Sequence, residues 1–421
     1  MHPLFRSIAA FLVLMPGLTP PLNAQWEHIN GTGILNVVSY ASIGSKLFTS
    51  VNSRYDSGGV IVATDNGATW SAASGGLPVE KILSLRAIGN SLYAGPYDAG
   101  IYISTDQGAS WSAANAGIGG GYVYDFAGIG STVLAGTYLN GVYRSTDAGG
   151  GWVAADSGMG GVYTINAFLV NGPDVYAATS GKGVYRSTNA GVSWSAVNTG
   201  LSSTYGYIDA LGLSGSTMFA GSYETGIFVS TNSGSNWTAA CNGLTKYLAI
   251  YYPVLAFATS GTKVVAGNFS QGVCLSTNSG SSWRAMNGGL THLGVRTLAV
   301  FGTYLFMGGD STGVYRIPLS ALTTTVDRSP GGAPLSCTLA RNYPNPFNPA
   351  TTIGYTLPAR MHVRLSVFNS LGQLIATLVN GENEPGEHTV RFDGSHLPSG
   401  VYLYRLQAGS FVSCRKLVLL H

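Results

Sequence analysis

The seven tryptophans of this chain, Trp26, Trp70, Trp111, Trp152, Trp194, Trp237 and Trp283, recur about every 41 to 46 residues. A period of that length holds four short strands with their turns, and seven such units describe a seven-bladed β-propeller. Six of the tryptophans close a turn of one design. Asp65, Asp106 and Asp147 open it before Trp70, Trp111 and Trp152, and Asn189, Asn232 and Asn278 take that place before Trp194, Trp237 and Trp283. Asp or Asn accepts hydrogen bonds from backbone amides across a tight turn, and the Gly that follows adopts positive φ. The indole then fills space against the neighbouring sheet, where its burial is worth on the order of 3 to 5 kcal/mol.

The last unit, from Arg296 to Pro318, has neither an Asp turn nor a tryptophan. The stretch Gln25 to Gly31 reads like the outer strand of the other blades, as in Ser193 to Gly200, so Trp26 is expected to close the ring non-covalently and leave no free edge. Ahead of it, His2 and Arg6, an apolar run from Ile8 to Leu18 and Leu22-Asn23-Ala24 predict a signal peptide over 1–24, too short to anchor in a bilayer.

Only 9% of the residues are charged and 59 are glycine, the composition of a turn-rich β protein. A formal charge of +3, without a basic run interleaved with aromatics, argues against nucleic acid or an anionic membrane as partner. The seven histidines show no metal-ligand spacing, and no metal, cofactor or transmembrane segment is expected. Cys241 and Cys274 read either as small buried hydrophobes or as a bridge. A monomer is expected.

Strand order in a blade puts the Asp turns on one face and, on the other, the loops between second and third strands together with the links between blades. That second face is rich in aromatics: Tyr55, Tyr97, Tyr138, Tyr223 and Phe269 in the loops, and Tyr122, Tyr163, Tyr205, Tyr207, Tyr247, Tyr251 and Tyr252 in the links. Exposed tyrosines suit sugar rings or peptide chains, so a glycan or protein ligand is expected there, with Tyr55, Tyr97, Tyr138, Tyr223, Tyr252 and Phe269 as the contacts. The same face carries Asp56, Asp98, Asp125, Asp209, Glu224 and Asp310, among which a glycoside hydrolase would need two carboxylates about 5 to 9.5 Å apart.

The Asp turns resemble the Asp-box repeats of sialidases, of two-propeller xyloglucan hydrolases and of photosystem-assembly propellers. The resemblance covers residues 25–318 and implies the fold, since the same box serves enzymes and scaffolds alike. Sialidases also carry a Phe/Tyr-Arg-Ile-Pro motif that Tyr315-Arg316-Ile317-Pro318 matches. Arg316, however, is the repeat equivalent of Arg144 and Arg186, which makes it a product of the repeat. Gly309-Asp310-Ser311-Thr312-Gly313 fits a serine-hydrolase pattern but joins two strands rather than a strand and a helix.

After a Ser/Thr/Pro/Gly linker over 319–341 comes a different domain, 342–421. Alternation in Val363-Arg364-Leu365-Ser366-Val367-Phe368 and turns at Ser370-Leu371-Gly372 and Pro398-Ser399-Gly400 predict a small immunoglobulin-like β-sandwich. It resembles the type A sorting domain of bacterial type IX secretion in Tyr343-Pro344-Asn345-Pro346-Phe347-Asn348-Pro349, Leu371-Gly372-Gln373, Leu397-Pro398-Ser399-Gly400-Val401-Tyr402, Arg405-Leu406-Gln407-Ala408-Gly409 and Lys416-Leu417-Val418-Leu419-Leu420. The resemblance implies recognition by the type IX machinery in the periplasm, passage across the outer membrane, and display on the cell surface or release.

Overall fold

The computed structural model describes residues 25–29, 35–53, 58–119, 121–161, 164–201, 206–247, 250–322, 337–340, 342, 344–357, 360–409 and 411–420. The expected signal peptide, 1–24, lies outside them. The chain divides into two compact units, 1–324 and 325–421.

Short apolar runs between the turn signals form the strands of the first unit. Blade three is typical: Val123–Ile129, Thr132–Thr137, Val142–Ser145 and Val153–Ala154 pair antiparallel in that order. The second strand is buried at all its positions, with no alternation, because both faces of a blade are pressed between neighbours. Seven four-stranded sheets of this kind follow one another. Their first strands, Asn36–Ile43, Ile82–Ile88, Val123–Ile129, Ile165–Asn171, Ile208–Ser214, Val254–Ser260 and Thr297–Phe301, lie side by side, and the seventh packs against the first. The ring is closed.

Blades two to six are each tied to the one before by their tryptophan. The indole N–H of Trp111 donates to the Ala73 carbonyl at 2.8 Å, Trp152 to Ala114 at 2.9 Å, Trp194 to Ala155 at 2.8 Å, Trp237 to Val197 at 2.9 Å and Trp283 to Ala240 at 2.8 Å. Close approach has a sequence requirement: at Gly200, with φ +84°, a Cβ would sit 2.0 Å from the Trp237 carbonyl oxygen. Trp70 departs from the pattern. It is half-buried and donates within its own turn, to Gly67 at 3.2 Å.

Trp26 follows the rule across the seam, its indole donating to the Met286 carbonyl at 2.7 Å and its backbone N–H to Gly288 at 2.8 Å. Glu27–His28 then pairs antiparallel with Val314–Pro318, Glu27 opposite Arg316 and His28 opposite Tyr315, which completes the fourth strand of the seventh blade. Arg316 holds the Glu27 carboxylate and the Asn66 carbonyl, each at 3.0 Å. The motif-like arginine is a seam residue.

The Asp turns form as expected, with one addition. In all six the residue after the Asp or Asn, from Asn66 and Gln107 to Ala190 and Ser279, also has positive φ, between 52° and 59°, ahead of the glycine. Cys241 and Cys274 are both free thiols. Cys241 Sγ accepts the Ile227 N–H at 3.3 Å, the place where Asn115 and Asn198 accept from Ile101 and Val184 at 2.7 Å.

In the second unit, Thr338–Leu339, Ala350–Leu357 and Gly386–Asp393 form one sheet, and Leu374–Asn383, Met361–Phe368, Gly400–Ala408 and Phe411–Leu419 the other. Their inner faces meet in a core that includes Phe347, Ile353, Leu365, Tyr404 and Leu419. The linker is narrower than the sequence suggests. Leu319–Ala321 forms a short 3-10 turn whose neighbour Leu322 is buried in the propeller, while Thr338–Leu339 pairs with Thr356 and Tyr355 of the sandwich.

Candidate functional site

The face opposite the Asp turns is built on a repeated backbone contact. In five blades the first residue after the second strand donates its N–H to the carbonyl of the residue just before the first strand: Tyr97 to Lys81 at 2.6 Å, Tyr138 to Tyr122 at 2.8 Å, Ser180 to Thr164 at 3.2 Å, Tyr223 to Tyr207 at 3.3 Å and Phe269 to Pro253 at 3.0 Å. This clips loop to link and fixes which side chains become neighbours. Tyr97, Tyr138, Tyr207, Tyr223 and Phe269 are 38% to 52% exposed.

In blades two and three the rings form a stack. Tyr97 and Tyr122 lie 4.3 Å apart at 16°, Tyr122 and Tyr138 5.8 Å apart at 22°, and Tyr124 meets Tyr138 at 5.8 Å. A hydrogen bond with Tyr97, then partial burial, pushes the Tyr122 phenol up to about 12. In blade five Tyr207 meets Tyr223 edge-on at 6.4 Å. Beyond it Lys246 Nζ sits 4.6 Å from the Tyr251 ring centre, and Arg296 lies 5.7 Å from that of Phe269 while paired with Asp310.

Between the two aromatic groups the first strands carry a β-bulge near their start. The ladder skips one residue between Val123 and Asp125, Ile165 and Ala167, and Ile208 and Ala210, which sets Tyr124, Asn166 and Asp209 at equivalent points of three consecutive blades. Asn166 Nδ2 donates to the Ile208 carbonyl at 2.9 Å and to Asp209 Oδ1 at 3.4 Å, and its Oδ1 accepts the Ser180 hydroxyl at 3.1 Å. Asp209 Oδ2 is buried without a hydrogen-bond partner among the described residues. That burial pushes its carboxyl up to about 6.

The remaining acidic candidates are dispersed. Asp125 is held by Arg86 at 2.7 and 2.9 Å and accepts the Phe168 N–H at 2.8 Å, clasping three blades rather than facing a ligand. Arg86 lines a cavity of about 410 Å³ between the first strands of blades two to four. Asp310 is paired with Arg296, Asp98 sits in an exposed loop at φ +59°, and Glu224 is half-buried, its carbonyl accepting the Tyr251 N–H. Tyr252 is half-buried in the link to blade six. Tyr55, Asp56, Tyr163, Tyr205 and the side chain of Tyr247 lie outside the described residues. Tyr124 and Asn166 were not legible beforehand, because a register skip leaves no mark on residue type.

Residues 341–420 match the family described as the secretion system C-terminal sorting domain, and residues 102–113, the Asp turn of blade two with its flanks, match the BNR/Asp-box repeat. No curated protein matches the chain. Among solved structures it is similar to PorZ, a surface component of the type IX secretion system of Porphyromonas gingivalis, at 15% identity and TM-score 0.52, over 91% of this chain and 59% of that one. YCF48 bound to D1 peptide is similar at 15% identity and TM-score 0.54, over 70% of this chain and 97% of that one. A GH74 enzyme of Niastella koreensis is similar at 23% identity and TM-score 0.52, over 70% and 44%. These likenesses are of fold. With the sorting domain they make the chain a β-propeller exported by type IX secretion, to the cell surface or beyond it. No helix among the described residues is long and apolar enough to cross a membrane.

Proposed function

We propose that the tyrosine-lined face is a binding surface for a glycan or protein met outside the cell. The observation that carries this reading is where the propeller leaves large apolar side chains exposed. Of twelve such residues among those described, Val153, Val192 and Val300 lie elsewhere, and the other nine are on this one face. Single exposed hydrophobes are ordinary on a protein surface; their concentration on loop tips held by a rigid ring supports a binding role. YCF48 carries a peptide and the GH74 protein is an enzyme, so the fold leaves the ligand class open.

Purified protein tested against glycan and envelope-protein arrays is expected to bind, and Tyr138→Ala and Tyr223→Ala to weaken that binding without moving the melting temperature. Binding unaffected by either variant would reject the face. One observation favours the glycoside-hydrolase reading: Asp209 Oδ2 is buried without a hydrogen-bond partner among the described residues, and burial that raises a carboxyl to about 6 suits a general acid. That reading requires release of reducing sugar that Asp209→Asn abolishes while binding persists.

A further inference from the structure

Resting on that reading, we infer that the ligand is a neutral glycan chain, laid from the tyrosine stack of blades two and three to the Asn166 and Asp209 pair beside it. The rings are stacked face on face, successive pairs within 16° and 22° of parallel, so the stack covers its inner faces and offers a ligand its outer ring faces and its ring edges. A pyranose lays a face of C–H groups on an outer ring and turns a rim of hydroxyls to whatever flanks it. The flank here is one amide and one carboxyl. Asn166 is anchored by Ser180 and the Ile208 carbonyl, and Asp209 has one buried oxygen without a donor among the described residues. A half-turn of the carboxyl exchanges its two oxygens, and a sugar hydroxyl settling against Asn166 supplies the missing donor.

Charge and relief argue for this occupant. Among the described cations of this face Arg296 is paired with Asp310 and Lys246 lies over Tyr251, while Lys81 and the exposed Lys182 stand on separate blades, so no cluster of cations is present to select an anionic polymer. An extended peptide is held by pairing with a strand edge, by deep pockets for alternate side chains or, where it is rich in proline, by an aromatic groove, which the casein arm below tests. The tyrosines stand on loop tips, and the cavities of about 410 and 220 Å³ are lined by first-strand residues such as Arg86 and Ala87, down in the channel.

Affinity electrophoresis of the full chain through gels containing a β-glucan, a galactomannan or a dextran tests the inference, with polygalacturonate and casein as charged and protein arms. Retardation is expected on at least one neutral polysaccharide. Tyr122→Ala, Tyr138→Ala and Asp209→Asn should each weaken it about tenfold, and Phe269→Ala should not. Absence of retardation on every neutral polysaccharide overturns the glycan. Retention by casein alone, lost in Tyr138→Ala, would keep the binding face and reject its sugar ligand. Melting curves of each variant separate lost binding from lost fold.

Discussion

The turn carboxylates show how one residue choice sets a chemical sensitivity without altering shape. Asp106 accepts from the Ser110 hydroxyl, the Ser110 N–H and the Ser104 hydroxyl, and these bonds hold its carboxyl down to about 2. In blade four Asn189 Oδ1 accepts from Ser193 N–H at 2.9 Å and its Nδ2 donates to the Ser193 hydroxyl at 2.8 Å, so the hydroxyl reverses its role and the turn survives without a charge. Because the folded carboxyls of Asp65 and Asp106 lie below their ordinary 3.8, their contribution is present above that pH and is lost as pH falls through the folded value, about 2 for Asp106. A D65N/D106N double variant should therefore melt close to the parent at pH 7 and lose less of its melting temperature between pH 4 and pH 2. Equal losses would show that these turns do not carry the acid sensitivity. At this scale the sequence was readable where chemistry is local: Asp, Gly and Trp at fixed spacing announced the turns. It misled where a partner is remote, as with Asp125, whose arginine is 39 residues away on the neighbouring blade.

Among the elements, the strand at 27–28 does the most with the fewest residues. It carries only two ladder positions, yet the tryptophan beside it makes the same two hydrogen bonds to blade six that Trp283 makes to blade five. Closure was legible because blade seven lacked a tryptophan and the start of the propeller had one to spare. The bulges of the first strands were not, because skipping a residue is a property of pairing rather than of composition. Removing residues 25–29 exposes the edge of Val314–Pro318 and uncovers Met286 and Leu305, members of the cluster that buries Trp26. The truncated propeller should lose at least the 3 to 5 kcal/mol typical of one deleted buried indole, measured by denaturant unfolding of the propeller transition. A synthetic peptide spanning the deleted strand should restore part of it. An unchanged midpoint would mean that the seam is held by other contacts.

For the whole molecule, the question is whether the address read by the export machinery is a line of residues or a folded surface. Two of the motif stretches that mark the sorting domain, one near Asn345 and one over 416–420, are far apart in sequence and meet in space. Asn345 donates to the Lys416 carbonyl and accepts the Val418 N–H at 2.9 Å, and Phe347 exchanges backbone hydrogen bonds with Val418 and Leu420. Leu417 and Leu419 are fully buried in the sandwich core. Much of the motif is thus explained by folding, since a buried leucine cannot be read by a receptor until the domain opens. Deleting 342–421 should leave the propeller with its own melting transition and block its appearance outside the cell. Leu419→Asp buries a charge in that core while leaving every other motif residue in place, and should unfold the sandwich at a cost of several kcal/mol. If the machinery recognises a folded surface, this variant should be retained as fully as the deletion, and periplasmic fractions should hold intact propeller. Export of Leu419→Asp at the parental level would show instead that a linear segment suffices.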